Sequence, residues 1–287
     1  MKINRKQIIG STVGILGLII PFFLNINGLS EAGHVTLGVF FLAAAFWMLE
    51  PVPIYATSML VIFLQVVLLS KEGLFFHSVT DSYTPDSYTA FIGTLANPII
   101  ILFLGGFILA DAAVKYSLDR NITRILLKPF GTSPKFIVLG LMVVTAVLSG
   151  FMSNTATPAM MMTVILPIIA RVKNNDPLRI GLALNSPFAA NIGGIATPIG
   201  TPPNAVVLGA LNQQGITIAF GEWMVLAVPL VVVALLMAWF ILTQMFKAQT
   251  DHVEIDMSGR FNTSKNAILL YVVFGITVLL WITEKAH

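Results

Sequence analysis

The chain has no cysteine, which excludes disulfide frameworks, thiolate metal sites and cysteine nucleophiles together and leaves no redox signature to read. Charge is nearly as scarce. Asp, Glu, Lys and Arg make up 10% of the 287 residues, against about 25% in an ordinary soluble domain. The four histidines, His34, His77, His252 and His287, fall in loops, at the terminus or at the start of an apolar run, so none makes a convincing ligand. What fills the chain is apolar: hydrophobic residues are 56% of it and the mean hydropathy is +0.88. A water-soluble fold is excluded, and an all-α integral membrane protein is predicted.

Runs able to cross a hydrocarbon core, about 20 residues each, lie at Ile8–Leu24, His34–Leu49, Ile54–Leu69, Pro98–Val114, Glu222–Phe246 and Ala267–Ile282. Between the fourth and fifth sit two apolar segments rich in Pro, Gly, Ser, Thr and Asn, Phe136–Ala170 and Ile180–Leu211. The opening Lys2, Arg5 and Lys6 have the charge of a secretory leader, but no small-x-small cleavage site closes the run, so it reads as a retained first span. With the N-terminus cytoplasmic, only Lys71 and Lys285 of the 16 Lys and Arg fall outside. This is the cytoplasmic bias of basic residues, and it accounts for the net charge of +3 and the pI near 9.2 without a nucleic-acid partner. The expected location is a cell membrane, plasma or bacterial inner, crossed about seven times.

The same asymmetry constrains Phe136–Ala170, because Lys128 and Lys135 precede it while Arg171, Lys173 and Arg179 follow. The segment must turn back. As one helix its 35 residues would run about 52 Å at 1.5 Å each, well beyond a core of roughly 30 Å. Two complete spans and a turn do not fit either. A re-entrant helical hairpin with its tip inside the membrane is therefore predicted, and the midpoint carries Ser149, Ser153, Asn154, Thr155 and Thr157. Polar, non-helical backbone survives at that depth only against protein or a cavity. In a soluble loop the same residues would be an ordinary turn; inside an apolar segment they mark a ligand site. Hydroxyls, an amide and carbonyls can replace part of the hydration shell of a hard cation, and the hydroxyl and amide donors can hold a carboxylate.

Ile180–Leu211 is predicted to be one broken span. Its middle, Asn191 to Asn204, holds Gly193, Gly194, Pro198, Gly200, Pro202 and Pro203, and each proline removes a backbone donor. Discontinuous helices near the midplane are the recurrent sequence pointer to a transporter's binding site. Other features read plainly. Tyr116–Lys128, with Arg120, Arg124 and Lys128 at i, i+4 and i+8, is a cytoplasmic interfacial helix. Asp111 is expected to pair with Lys115 one turn on, and Glu50, before Pro51-Val-Pro53, is interfacial. The glycosylation patterns at Asn121 and Asn262 fall on the cytoplasmic side and are chance matches. The chain divides into 1–114 (scaffold and oligomerisation spans), 115–135 (amphipathic connection), 136–211 (ion and substrate site) and 212–287 (later spans, with a cytoplasmic loop 247–266).

Two strings carry a family resemblance: Ser153-Asn-Thr-Ala-Thr-Pro-Ala-Met160 and Ala190-Asn-Ile-Gly-Gly-Ile-Ala-Thr-Pro-Ile-Gly-Thr-Pro-Pro-Asn204. With Trp47, Glu50-Pro-Val-Pro53 and Phe103-Leu-Gly-Gly-Phe107 they resemble the divalent-anion/sodium symporter family. The resemblance implies secondary active transport of a small dicarboxylate such as succinate, malate or fumarate coupled to Na⁺, with no cofactor besides that coupling ion. Citrate or sulfate carriage, or exchange, are alternatives within the same architecture. It further implies that Ser149, Ser153, Asn154 and the Gly200 carbonyl hold a sodium ion, that Asn154, Thr155 and Thr201 contact the anion, and that the full-length protein is a homodimer in the lipid bilayer. Family members have two inverted repeats, whereas a single Ser-Asn-Thr is present here. The expectation is thus a partial chain holding one repeat and the start of the next, inactive alone. An intramembrane hydrolase is disfavoured because no His, Asp or Glu sits in either broken segment. A channel built on broken helices would show ohmic conductance instead of saturable uptake.

Overall fold

The computed structural model describes residues 4–24, 26–74, 84–253 and 262–283, the side chains at 99, 119 and 120 excepted. Lys2, His77, Arg260, Lys285 and His287 lie outside the described residues. Every regular element among the described residues is helical, and the chain packs as two compact units, Met1–Pro98 and Ile99–His287.

In the first unit, α1 (Arg5–Ile19) starts on a reciprocal cap: the Asn4 side chain accepts from Lys6 N, and Gln7 Oε1 accepts from Asn4 N at 2.9 Å. It runs through a short 3₁₀ turn and packs on α2 (Glu31–Leu49). Gly38 makes the approach possible, since a Cβ there would overlap the Leu18 carbonyl. The left-handed Glu50, φ 47°, ends α2, and Pro51-Val-Pro53 leads into α3 (Ile54–Leu69). A short helix that the sequence reading lacks, α4 (Tyr88–Gly93), follows; the Glu72 carboxylate accepts from Tyr88 N at 2.9 Å and from Ser87 Oγ at 3.2 Å.

The second unit holds α5 (Pro98–Lys115), α6 (Leu118–Leu127), α7 (Pro134–Ser149), α8 (Ala156–Arg171), α9 (Leu178–Gly193), α10 (Pro202–Gln213), α11 (Phe220–Met245) and α12 (Lys265–Ile282). Its core is made where α7, α8 and α9 meet, with Leu141, Met142, Met161, Ile165 and Leu182 all fully buried. The left-handed Ser117, φ 59°, turns the corner from α5 to α6. Tyr271 on α12 holds that corner, accepting from Asn121 Nδ2 at 2.8 Å and placing its hydroxyl 3.3 Å from Tyr116 O. The Asp111–Lys115 ion pair expected from their spacing does not form. Lys115 Nζ stands instead 5.8 Å from the ring centroid of its neighbour Tyr116.

Helices α7 and α8 form the hairpin. Each has 16 residues and so rises about 24 Å, and residues 150–155 turn between them. Both outer ends meet the same end of α11. Trp239 Nε1 donates to Lys135 O at 2.8 Å and Val253 N to Thr132 O at 2.9 Å. On the other arm, Asp176 Oδ2 accepts from Gln249 N and Thr250 N, each at 3.0 Å. The chain therefore does turn back, and Lys135, Lys173, Arg179 and Lys247 belong to this one end of the bundle. Helix α9 then rises beside α7, with Asn185 Nδ2 on Val138 O at 2.6 Å.

Among the described residues, five helical stretches are long and apolar enough to cross a membrane: Arg5–Phe23, Glu31–Leu49, Tyr88–Lys115, Phe220–Met245 and Lys265–Ile282. Ile54–Leu69 and the hairpin arms are apolar but shorter. Large apolar side chains stay exposed along these helices, among them Phe40, Phe63, Val225, Leu230 and Leu269, the reverse of what water tolerates over so wide a surface. The molecule is a multi-pass integral membrane protein.

Candidate functional site

The site is built by one helix that ends at the hairpin tip and another that breaks beside it. Helix α7 ends at Ser149, fully buried, with its hydroxyl donating to Ala190 O of α9 at 2.8 Å. Helix α9 stops at Gly193; Gly194–Ala196 make one 3₁₀ turn, and Thr197 and Thr201 are extended before α10 begins. The tip is tied to this break by the Thr197 hydroxyl, which donates to Gly150 O. Glycine is required where the two come closest. A Cβ on Gly193 would overlap the Ala146 backbone, and one on Gly194 would overlap the Asn154 carboxamide.

Asn154 lies between the tip and the break. The carboxamide atom that faces the break stands 2.7 Å from Ser149 Oγ, 3.1 Å from Gly200 O and 3.3 Å from Ala190 O. Filled by Nδ2, that position has three acceptors within reach of its two hydrogens. Filled by Oδ1, it accepts from the Ser149 hydroxyl and stands against the carbonyl oxygens of Gly200 and Ala190, two close oxygen–oxygen approaches that a bound cation would relieve. Among the described residues no three His, Asp or Glu gather as a metal cluster, so the donors here are a hydroxyl, an amide and carbonyls. Neutral oxygens of this kind hold a monovalent cation without the charge that would trap it.

Of the residues singled out from the sequence, Ser149, Asn154 and Gly200 are brought together. Ser153 is not part of that cluster: its hydroxyl is 2.7 Å from Thr155 Oγ1 and accepts from Thr155 N at 3.2 Å. Thr155 is exposed at the mouth of the turn, and Thr201 is the half-buried residue preceding α10. The start of α10 differs from a simple anion-binding helix end, because Pro202 and Pro203 occupy its first positions and supply no N–H. A ligand carboxylate there would meet the Thr201 hydroxyl instead of a fan of amides. Thr157, one turn past the tip, is fully buried with its hydroxyl unpartnered, as are Ser186 Oγ and Asn185 Oδ1 on α9.

Several supporting residues have no individual role assigned from the sequence, Asn204 being named there only as the end of a motif. Asn204 Nδ2 bonds Gly194 O at 2.9 Å and Thr197 O at 2.8 Å, and Trp223 Nε1 bonds Ile195 O at 2.9 Å. Ala190 appeared only inside a motif, although its carbonyl faces the Asn154 carboxamide. The one available signal for Asn204 was its place directly after Pro202-Pro203, where a broken helix needs a donor for the carbonyls upstream.

Comparison with known proteins gives the chain a family. The citrate transporter family matches residues 44–286. A sodium-dependent dicarboxylate transporter of Staphylococcus saprophyticus is 32% identical over 310 residues, covering 99% of this chain and 56% of that protein. One of the same name from Staphylococcus aureus USA300 is 32% identical over 304 residues, covering 98% of this chain and 55% of its own length. The chain thus spans a little over half the length of the relatives it matches, and these are named as transporters, not enzymes. With its family match running from α2 through α12, the chain belongs to the citrate transporter family.

Proposed function

We propose that this chain forms a sodium and carboxylate half-site of a carrier that couples Na⁺ to the movement of C4-dicarboxylates. The observation that carries the reading is the convergence on the Asn154 carboxamide of Ser149 Oγ, Gly200 O and Ala190 O, at 2.7, 3.1 and 3.3 Å. In this reading Asn154 presents Oδ1 to the cation, which leaves its NH₂ toward the open side of the tip. That NH₂, with the hydroxyls of Thr155 and Thr201, receives one carboxylate of the anion. Cation and anion then share a single amide, so each raises the affinity of the other. Ser153 positions Thr155 through the contact between their hydroxyls. The relatives' name, sodium-dependent dicarboxylate transporter, supports succinate-like substrates. The gathering of Lys135, Lys173, Arg179 and Lys247 at one end supports a cytoplasmic placement of that end, with the tip entering the bilayer from it, and the Lys and Arg bias of the sequence supports a cytoplasmic N-terminus.

The test is cation-dependent stabilisation of the purified full chain, together with calorimetric succinate binding in NaCl and in choline chloride. A melting temperature raised by NaCl beyond choline chloride at equal ionic strength supports the sodium site, and succinate binding that is lost in choline supports the shared cation and anion site. Identical melting in the two salts would overturn the reading.

A further inference from the structure

A broken helix releases carbonyls, and where those oxygens go decides what the break can bind. Pro198 stands where Gly194 O would find its helical donor, and it has no N–H. Asn204, in the first turn of α10, takes that oxygen instead. Its Nδ2 spends one hydrogen on Gly194 O at 2.9 Å and the other on Thr197 O at 2.8 Å. The side chain is 6% exposed, so both bonds are dry and hard to replace with water. Ile195 O is taken by Trp223 Nε1. Gly200 O is treated differently: it faces the Asn154 carboxamide. Gly194 and its carbonyl lie against this corner, since a Cβ on Gly200 would overlap Gly194 O and one on Gly194 would overlap the Asn154 carboxamide.

We propose that Asn204 determines which cation the site takes, by withdrawing two carbonyls from it; the proposal rests on the sodium reading above and deepens it. With Gly194 O and Thr197 O occupied, a cation meets Asn154 Oδ1, Ser149 Oγ, Gly200 O and Ala190 O. A small oxygen set suits a small ion, and the number and field strength of coordinating carbonyls set the preference between Na⁺ and K⁺. Freed from Asn204, the two carbonyls would enlarge the set and favour the larger ion. Asn204 touches neither cation nor anion, so it is a positioning residue, and selectivity is the readout that a merely structural role would not move.

The test uses the full chain in detergent, with its melting temperature titrated by NaCl, LiCl and KCl against choline chloride at constant ionic strength. The wild type is expected to prefer Na⁺ over K⁺. Asn204→Ala is expected to lose about tenfold in apparent Na⁺ affinity and to shrink the Na⁺/K⁺ ratio by about fivefold or more. Asn204→Leu, of the same branched shape but without donor or charge, carries the test should the alanine variant not fold, and it should shrink the ratio likewise. Asn204→Gln, which keeps the NH₂, should recover part of it. Variants that melt lower with an unchanged Na⁺/K⁺ ratio would overturn the role of Asn204 while leaving the sodium site standing. A wild type indifferent to Na⁺ would bring down both.

Discussion

Asp176 Oδ2 and the Thr250 hydroxyl meet at 2.8 Å although 74 residues separate them in sequence. The same carboxylate accepts from Gln249 N, Thr250 N and, through Oδ1, Leu178 N, which ties the connection between α8 and α9 to the segment leaving α11. Burial of Asp176 works to raise its pKa, but the hydrogen bonds from Leu178, Thr250 and Gln249 outweigh it and hold the group below 3.8. A carboxyl whose folded pKa is depressed contributes stability that is complete above its unfolded value and lost as pH falls through the folded one. The melting temperature should therefore lose this contribution only below about pH 4. Asp176→Asn should cost about 1–3 kcal/mol near neutral pH and flatten the acid limb, as read by thermal melts across pH.

The contact between Gly194 and Asn154 gives a sharper test of the site than removing either polar group. Gly194→Ala places a methyl on the Asn154 carboxamide and should weaken Na⁺ binding by at least about tenfold, roughly 1.4 kcal/mol. Gly106→Ala is the control, since its added methyl meets only Ile199 Cδ1 at 3.6 Å, and its sodium titration should match the wild type.

Cation and anion ligands should separate by readout. Ser149→Ala removes the hydroxyl shared between Asn154 and Ala190 O and should raise the Na⁺ concentration for half-maximal stabilisation by about tenfold. Thr155→Ala and Thr201→Ala should leave that titration nearly unchanged and weaken dicarboxylate binding by about five- to tenfold, measured calorimetrically at saturating Na⁺.

The absence of cysteine makes topology directly measurable. Single cysteines at Lys135 and Lys173, on the two outer ends of the hairpin, should react with a membrane-impermeant maleimide from the same face of the membrane. One at Gln214, beyond α10, should react from the opposite face. Labelling of positions 135 and 173 from opposite faces would mean that the hairpin crosses.

The corner between α5 and α6 depends on one phenol. Tyr271→Phe deprives the 4% exposed Asn121 of the acceptor for its Nδ2 and should destabilise by about 1–3 kcal/mol, seen as a lower melting temperature with an unaltered sodium titration.

What local pattern could reveal, it did. Hydropathy gives Ile54–Leu69 with the bounds of α3; the hairpin follows from Lys and Arg on both flanks of a segment too long for one span, and the break from Pro and Gly set inside apolar chain. What depends on distant partners stayed hidden. Asp176 sits in Asn174-Asn-Asp-Pro177, which looks like any polar turn until Gln249 and Thr250 are placed beside it. Spacing suggested Asp111 with Lys115, but spacing brings side chains only within reach, and the aromatic neighbour Tyr116 offered Lys115 another contact. Ser153 enters the cation set only through the family resemblance, and local pattern could not show that its hydroxyl lies 2.7 Å from Thr155 Oγ1.

The indole of Trp223 is anchored on Ile195 O, two residues before Thr197, so an aromatic fluorophore is wired to the break itself. Whatever rearranges the break must stretch or release that bond and change the polarity felt by the ring. With the other three tryptophans replaced by phenylalanine, the molecule would carry its own optical gauge of ligand arrival, with no label added.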